Sequence, residues 1–242
     1  MKKIRNAFAF LSVSLLLANS YPMADLSGDR SAIVLSFFTF HEIPEKIKDS
    51  YTEWNLDHSG LSKQAFELAM KGFRFLEQEH KLRNTGLLTI IDYSQPSSKK
   101  RLYVLDTHSG QIIFKTLVAH GRNSGYQYAT SFSNDEASLK TSLGFYITQG
   151  TYTGTNGYSM KLEGCEKGIN DHAMARSIVF HGADYAGEDF LRRNGYLGRS
   201  YGCPAVPLSL HKKIINKIKN GSCMFFYYPS KTYINRSTIL DS

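Results

Sequence analysis

Gly195-Tyr196-Leu197-Gly198-Arg199-Ser200-Tyr201-Gly202-Cys203-Pro204-Ala205-Val206 is the densest cluster of unusual residues in this chain. It sets a cysteine between a glycine and a proline, just after an arginine and a serine. A free thiol has a pKa of about 8.5, so only roughly 3% is thiolate at pH 7 unless a neighbouring base or cation lowers it. A nucleophilic Cys203 therefore needs a partner. Gly202 lets the backbone turn tightly before the thiol and leaves space for a substrate carbonyl beside N–H groups able to hold an oxyanion.

The natural base is a histidine, and two share nearly the same local setting: Val118-Ala119-His120-Gly121 and Val179-Phe180-His181-Gly182. Each ends an apolar run and is followed by glycine, so spacing alone leaves both open. His172 and His211 are weaker candidates, while His41, His58, His80 and His108 stand in polar stretches where a surface role is the default.

Around these motifs the chain reads as sheet. Short apolar runs at 87–91, 102–105, 112–119, 144–148, 178–180 and 224–228 are separated by turn-rich segments such as Ser94-Gln95-Pro96-Ser97-Ser98, 106–110, 121–125 and 154–157. Two helices frame them. One starts after Ser62 as its cap, with Ala65, Ala69, Phe73 and Leu76 on one face. The other follows the cysteine, with Ser209 as cap, Leu210, Ile214 and Ile218 on one face, and Asn220-Gly221 as the stop.

The N-terminus carries Lys2, Lys3 and Arg5, then an apolar run at 7–18, then small residues at Ala18 and Ser20. That pattern predicts a secretory signal peptide over 1–20, too short in its apolar part to span a bilayer as a helix; an uncleaved anchor is the rival reading. Residues 21–59 form a segment with no assigned role and include a second short apolar run at 32–40. A catalytic domain is expected over 60–229 and a tail over 230–242, in a chain of 242 residues that has room for one ordinary domain. Removing Lys2, Lys3 and Arg5 from the formal +8 leaves +5, a balance suited to an anionic envelope surface. No zinc-finger spacing, basic run or interleaved aromatic-basic motif points to nucleic acid.

With these motifs in order, the chain resembles the murein L,D-transpeptidase catalytic domain (YkuD-like) family, in the branch whose cysteine motif runs Gly-Arg-Ser-x-Gly-Cys-Pro-Ala. The resemblance covers about 60–228 and also rests on Tyr103-Val104-Leu105-Asp106, Ser142-Leu143-Gly144-Phe145-Tyr146, Gly168-Ile169-Asn170 and Val179-Phe180-His181-Gly182-Ala183. It implies a mostly β (α+β) fold, a β-sandwich catalytic domain with a helical N-terminal segment. It further implies Cys203 as nucleophile, His181 as base, and the backbone carbonyl of Gly182 as the group that orients the imidazole. Peptidoglycan stem peptides would be the partners, with no metal or organic cofactor, in the periplasm or cell envelope. Better-known members carry an arginine two residues after the cysteine, where this chain has Ala205; Arg199 or Arg176 could take over a carboxylate. Gly202, Ser200, Tyr201 and Arg199 complete the expected oxyanion and substrate-binding set, Ser200 as a donor near the thiol or a substrate oxygen.

The implied reaction is acyl transfer through a Cys203 thioester, resolved by a second stem's amine to give a crosslink, or by water to give an L,D-carboxypeptidase. Three rivals remain. Gly198-Arg199-Ser200-Tyr201-Gly202 matches a serine nucleophile elbow, but the later acid and histidine that fold requires reduce to Asp241 and His211. A zinc site from Cys165, Cys203, Cys223 and a histidine lacks any Cys-x-x-Cys pair; Cys165 and Cys223 read as buried small hydrophobes or as a disulfide. The third is an inactive wall-binding module that keeps the fold without turnover.

Overall fold

The structure of the protein, a computed structural model, describes residues 45–242. The expected signal peptide and the apolar run at 32–40 lie outside the described residues.

Two helices open the described chain, α1 (Glu45–Glu53) and α2 (Lys63–Gln78). Ser62 caps α2 as its sequence implies, its side chain accepting from the Ala65 N–H at 3.3 Å. Ala65, Ala69, Phe73 and Leu76 are all buried on one stripe. The sheet strands follow: β1 (Leu87–Asp92), β2 (Leu102–Asp106), β3 (Ile112–Thr116), β4 (Gly144–Gly154), β5 (Gly157–Gly164), β6 (Val179–Gly182), β7 (Ala205–Val206) and β8 (Cys223–Tyr227). Helix α3 (Glu188–Asn194) precedes β7, α4 (Leu208–Ile218) joins β7 to β8, and α5 (Lys231–Arg236) closes the chain.

All eight strands form one sheet in the order β3-β2-β1-β8-β4-β5-β6-β7. The β1–β8 and β6–β7 pairs are parallel, the rest antiparallel. Strand alternation sorts side chains to two faces. Leu88, Ile90, Phe225 and Tyr227 pack with α1, α2 and residues of the C-terminal segment, while Leu87, Ile91, Met224 and Phe226 pack with Ile214, Ile215 and Ile218 of α4. Burying a side chain of this size contributes about 1.5–3 kcal/mol each, so both faces are held.

The sheet also curls until its two edges meet. After Thr116 the chain leaves β2 and crosses to β7, where the Ala119 N–H donates to the Ala205 carbonyl at 2.8 Å. The apolar run at 112–119 thus divides between β3 and this closure. The closure also carries the first histidine motif to the cysteine loop.

Three details differ from the sequence expectation. Residues 154–157 do separate two strands, as the turn of the β4–β5 hairpin, but β4 runs well past Thr148 and β5 was not among the expected runs. Ser209 lies inside the first turn of α4, and Pro207 is the residue before it, because proline's missing N–H costs nothing where a helix begins. The helix breaks one residue earlier than the expected stop, at extended Lys219, and Asn220 (φ 66°) and Gly221 (φ 106°) turn the chain away from it. The segment after 230 enters the core: Tyr233, Ile239 and Leu240 are buried there. Buried Glu166 ties it down, accepting from the Tyr233 hydroxyl at 3.2 Å, the Ser237 hydroxyl, and the Phe145 N–H at 2.7 Å.

All three cysteines are free. Cys223 pairs with Ile147 on one side of β4, and the Cys165 N–H bonds the Phe145 carbonyl on its other side at 3.0 Å. Two strand spacings and a two-residue offset along β4 put their Cα atoms roughly 11–12 Å apart, beyond disulfide reach. Among the described residues no helix is long and apolar enough to cross a membrane.

Candidate active site

Closure of the sheet builds the site. His181 on β6 is the ladder partner of Ala205 on β7, two residues past Cys203, so thiol and imidazole arrive on neighbouring segments. The cysteine loop is pinned from its other side by the Ser200 N–H donating to the His120 carbonyl at 3.0 Å and the Arg122 N–H to the Ser200 carbonyl at 2.8 Å. Cys203, His181, Ser200, Tyr201 and Arg199 together line a cleft of about 650 Å³.

The half-buried thiol lies against the Ser177–Val179 segment. The Val179 N–H points at its sulfur at 3.4 Å, and the thiol reaches the Ser177 carbonyl at 3.7 Å. Burial pushes the Cys203 pKa up; the Val179 amide, the Arg176 charge and the residue's own amide pull the other way without overcoming it. Cys203 therefore rests as a thiol, and its conversion to a thiolate requires a base to take the proton.

His181 is nearly enclosed, 3% exposed, and its Nδ1 stands 3.0 Å from the Gly182 carbonyl. A carbonyl can only accept, so Nδ1 carries the proton and Nε2 keeps its lone pair. Burial lowers the imidazole pKa, and the nearby His211 lowers it further. Gly182 is required by crowding: a Cβ there would lie 2.6 Å from the His211 ring and 2.8 Å from Leu208. His211, buried with its Nδ1 2.8 Å from the Leu208 carbonyl, thus backs the peptide that aims His181. Its helix-face position gave no sign of this.

His120 faces elsewhere. Its Nδ1 accepts from buried Arg101 at 2.8 Å and its Nε2 approaches the Gly125 carbonyl at 3.4 Å, so neither nitrogen is free. Burial and the Arg101 charge hold its pKa down to about 3. Arg101, fully buried, also donates to the Val118 carbonyl (3.0 and 3.2 Å) and the Gln95 carbonyl (2.7 Å), and its guanidinium sits over the Tyr93 ring. The sequence offered no hint that this arginine is internal.

Two expected roles change. Ser200 turns away from the thiol: its hydroxyl donates to the Cys203 carbonyl at 2.6 Å and accepts from the Gly202 N–H at 3.1 Å. Gly202 consequently has no free N–H for an oxyanion. Its glycine is needed because φ is 125° and a Cβ would lie 2.9 Å from Ile178 and from the Lys140 carbonyl. The Cys203 N–H, by contrast, donates to no protein oxygen among the described residues.

Ala205 is fully buried between His181 and Ala119 at the closure, which leaves no room there for an arginine. Arg176 cannot stand in for it. It donates to the Ser133 and Lys140 carbonyls and the Ser138 and Ser142 hydroxyls, so it fastens the 133–142 loop beneath the cysteine. Asn170 grips the same loop's exit through the Leu143 and Phe145 carbonyls, both at 3.0 Å. The motifs at 142–146 and 168–170 are thus scaffold.

The L,D-transpeptidase catalytic domain family matches residues 57–227. The chain belongs to this family. L,D-transpeptidases act on peptidoglycan peptides. Similar solved structures are an L,D-transpeptidase from Mycobacterium smegmatis (12% identity, 59% of each chain, TM-score 0.37) and L,D-transpeptidase 3 from Mycobacterium tuberculosis (10% identity, 59% of this chain and 61% of that one, TM-score 0.38). Another is an L,D-transpeptidase from Stackebrandtia nassauensis (16% identity, 76% of this chain and 77% of that one, TM-score 0.36). The chain spans about three fifths of the length of the two mycobacterial proteins. None of the curated proteins matches it. The catalytic-domain match falls on a mostly β fold, one eight-stranded sheet with few helices. Among the described residues no three His, Cys, Asp or Glu side chains gather as a metal-ligand set.

Proposed function

We propose that this L,D-transpeptidase domain transfers acyl groups between peptidoglycan stem peptides through a thioester on Cys203, in an exported protein of the periplasm or cell envelope. The observation that carries the reading is the opening of Cys203 and His181 into one cleft, with His181 Nδ1 held by the Gly182 carbonyl. That arrangement leaves Nε2 as the proton acceptor. As Sγ bonds to the carbonyl carbon of the stem's diamino acid, the thiol proton passes to Nε2. The carbonyl oxygen takes up negative charge, and the Cys203 N–H is the donor that faces it. Collapse breaks the C–N bond to the terminal D-alanine, whose amine takes the proton from His181. A second stem's amine then attacks the thioester, returns a proton by the same route and releases Cys203. Water in its place gives a shortened stem.

Export is supported by the basic, apolar and small-residue order over 1–20. The test is mass spectrometry of stem-tetrapeptide fragments incubated with the protein and with Cys203→Ser. Crosslinked dimers that need the cysteine establish the transpeptidase, and trimmed stems alone establish the carboxypeptidase. A folded protein that forms neither product nor an acyl adduct at Cys203 is a wall-binding module, and the proposal fails.

A further inference from the structure

Among the described residues three arginines line the cleft, Arg122, Arg176 and Arg199, and no aspartate or glutamate does. They differ in what their guanidinium groups already hold. Arg176 is spent on the 133–142 loop. Arg199 lies over the Tyr126 ring, 4.2 Å from its centre, with one N–H reaching the Gly125 carbonyl at 3.4 Å. Arg122 is exposed, and among the described residues its guanidinium has no hydrogen-bond or ion-pair partner; it only overhangs the exposed Tyr201 ring at 6.0 Å. Its backbone, however, is fixed. The Arg122 N–H is bonded to Ser200, and a Cβ placed on neighbouring Gly121 would lie 3.0 Å from the Gly202 Cα, beside the cysteine. An unpartnered guanidinium on a rigid base, at the mouth of a cleft without acids, is a carboxylate site waiting for its anion.

We infer that Arg122 is the specificity residue that binds a carboxylate of the substrate peptide at the Cys203 cleft, with the Tyr201 ring as its support. The inference rests on the proposed nucleophilic role of Cys203. It selects peptides presenting a free carboxylate over their amides, and it places that selection on the strand-crossing segment after β3, since a side chain at 205 has no access to the cleft.

The test compares alkylation of Cys203 by iodoacetate and by iodoacetamide, each rate divided by that of N-acetylcysteine and the modified residue identified by peptide mapping. Folding of every variant is checked by circular dichroism, and Lys212→Ala on the exposed face of α4 serves as a charge control. The native protein is expected to favour iodoacetate about fivefold, the effect of one exposed ion pair. Arg122→Gln abolishes the preference, Arg122→Lys keeps part of it, and 0.5 M salt narrows it. Equal normalised rates in the native protein, or a preference surviving in Arg122→Gln, overturn the assignment while leaving Cys203 a reactive thiol. A Cys203 inert to both reagents sinks the nucleophile reading and this inference with it.

Discussion

The segments 118–121 and 179–182 are near copies, each an apolar pair followed by His-Gly, yet their histidines have opposite surroundings. His181 keeps one nitrogen free toward a cleft that holds a thiol, whereas His120 has both nitrogens committed among buried groups. What separates them is the partner across the sheet. The backbone around His181 pairs with β7 beside the cysteine, while His120 meets the guanidinium of Arg101 from β2's leading edge. A strand-His-Gly motif is thus a position at a sheet end and no more; the neighbour decides whether its ring opens to a cleft or becomes a buried brace.

The sharpest way to break the comparison is to remove each imidazole. His181→Ala is expected to lower kcat/KM for tetrapeptide substrate by about 10²–10⁴, the usual span for a lost general base. His120→Gln should stay within roughly threefold of native activity, since a core substitution acts on stability first. Steady-state kinetics with the reverse pattern would exchange the two roles.

Next in size is Arg101→Met. It leaves the Val118 and Gln95 carbonyls and His120 Nδ1 buried without their donor. Groups stranded this way cost about 1–3 kcal/mol each. Part is returned by removing a buried charge, so urea unfolding should show a net loss of about 2–4 kcal/mol. No change in midpoint would mean the brace holds nothing.

The pH dependences should also divide. His120 titrates near 6.5 when unfolded and at about 3 when folded. The unfolded chain therefore binds more protons through that window, and His120 stability, complete above pH 6.5, is lost as pH falls toward 3 at up to about 1.4 kcal/mol per unit. Thermal melts of His120→Gln should be flatter over this range. His181 is also depressed by burial, so the acidic limb of kcat/KM should have its midpoint below 6.5. A midpoint above 6.5 would contradict the buried, neutral base.

The smallest expected effect is that of Ser200→Ala. Its hydroxyl joins the Gly202 N–H to the Cys203 carbonyl, so its loss should cost about 1 kcal/mol of stability and slow Cys203 alkylation a fewfold. A loss as large as that of His181→Ala would restore Ser200 to direct contact with substrate.

Much of this was legible in the linear chain. Ser62 and the Ala65, Ala69, Phe73, Leu76 stripe announce α2 because capping and helical periodicity are local. Strand β5 was readable too, since buried Met160 and Leu162 alternate with Lys161 and Glu163, but it holds no continuous apolar run and is absent from the expected strands. Arg101, Arg122 and His211 were not readable at all. An arginine's burial, a guanidinium's lack of a partner and a histidine's packing on a distant glycine depend on segments that come together only when the sheet closes.

The sequence by itself determined the sheet-rich texture, the helix with its cap and the family resemblance, because these rest on short-range periodicity and on residues close together in the chain. The resemblance already implied His181; only the tertiary structure decided how His120 is committed instead, that Ser200 braces the loop, that Ala205 is walled in, and which arginine is left free. Each of those facts is a contact between residues far apart in the chain, set by the meeting of the sheet's two edges, and no local pattern encodes it.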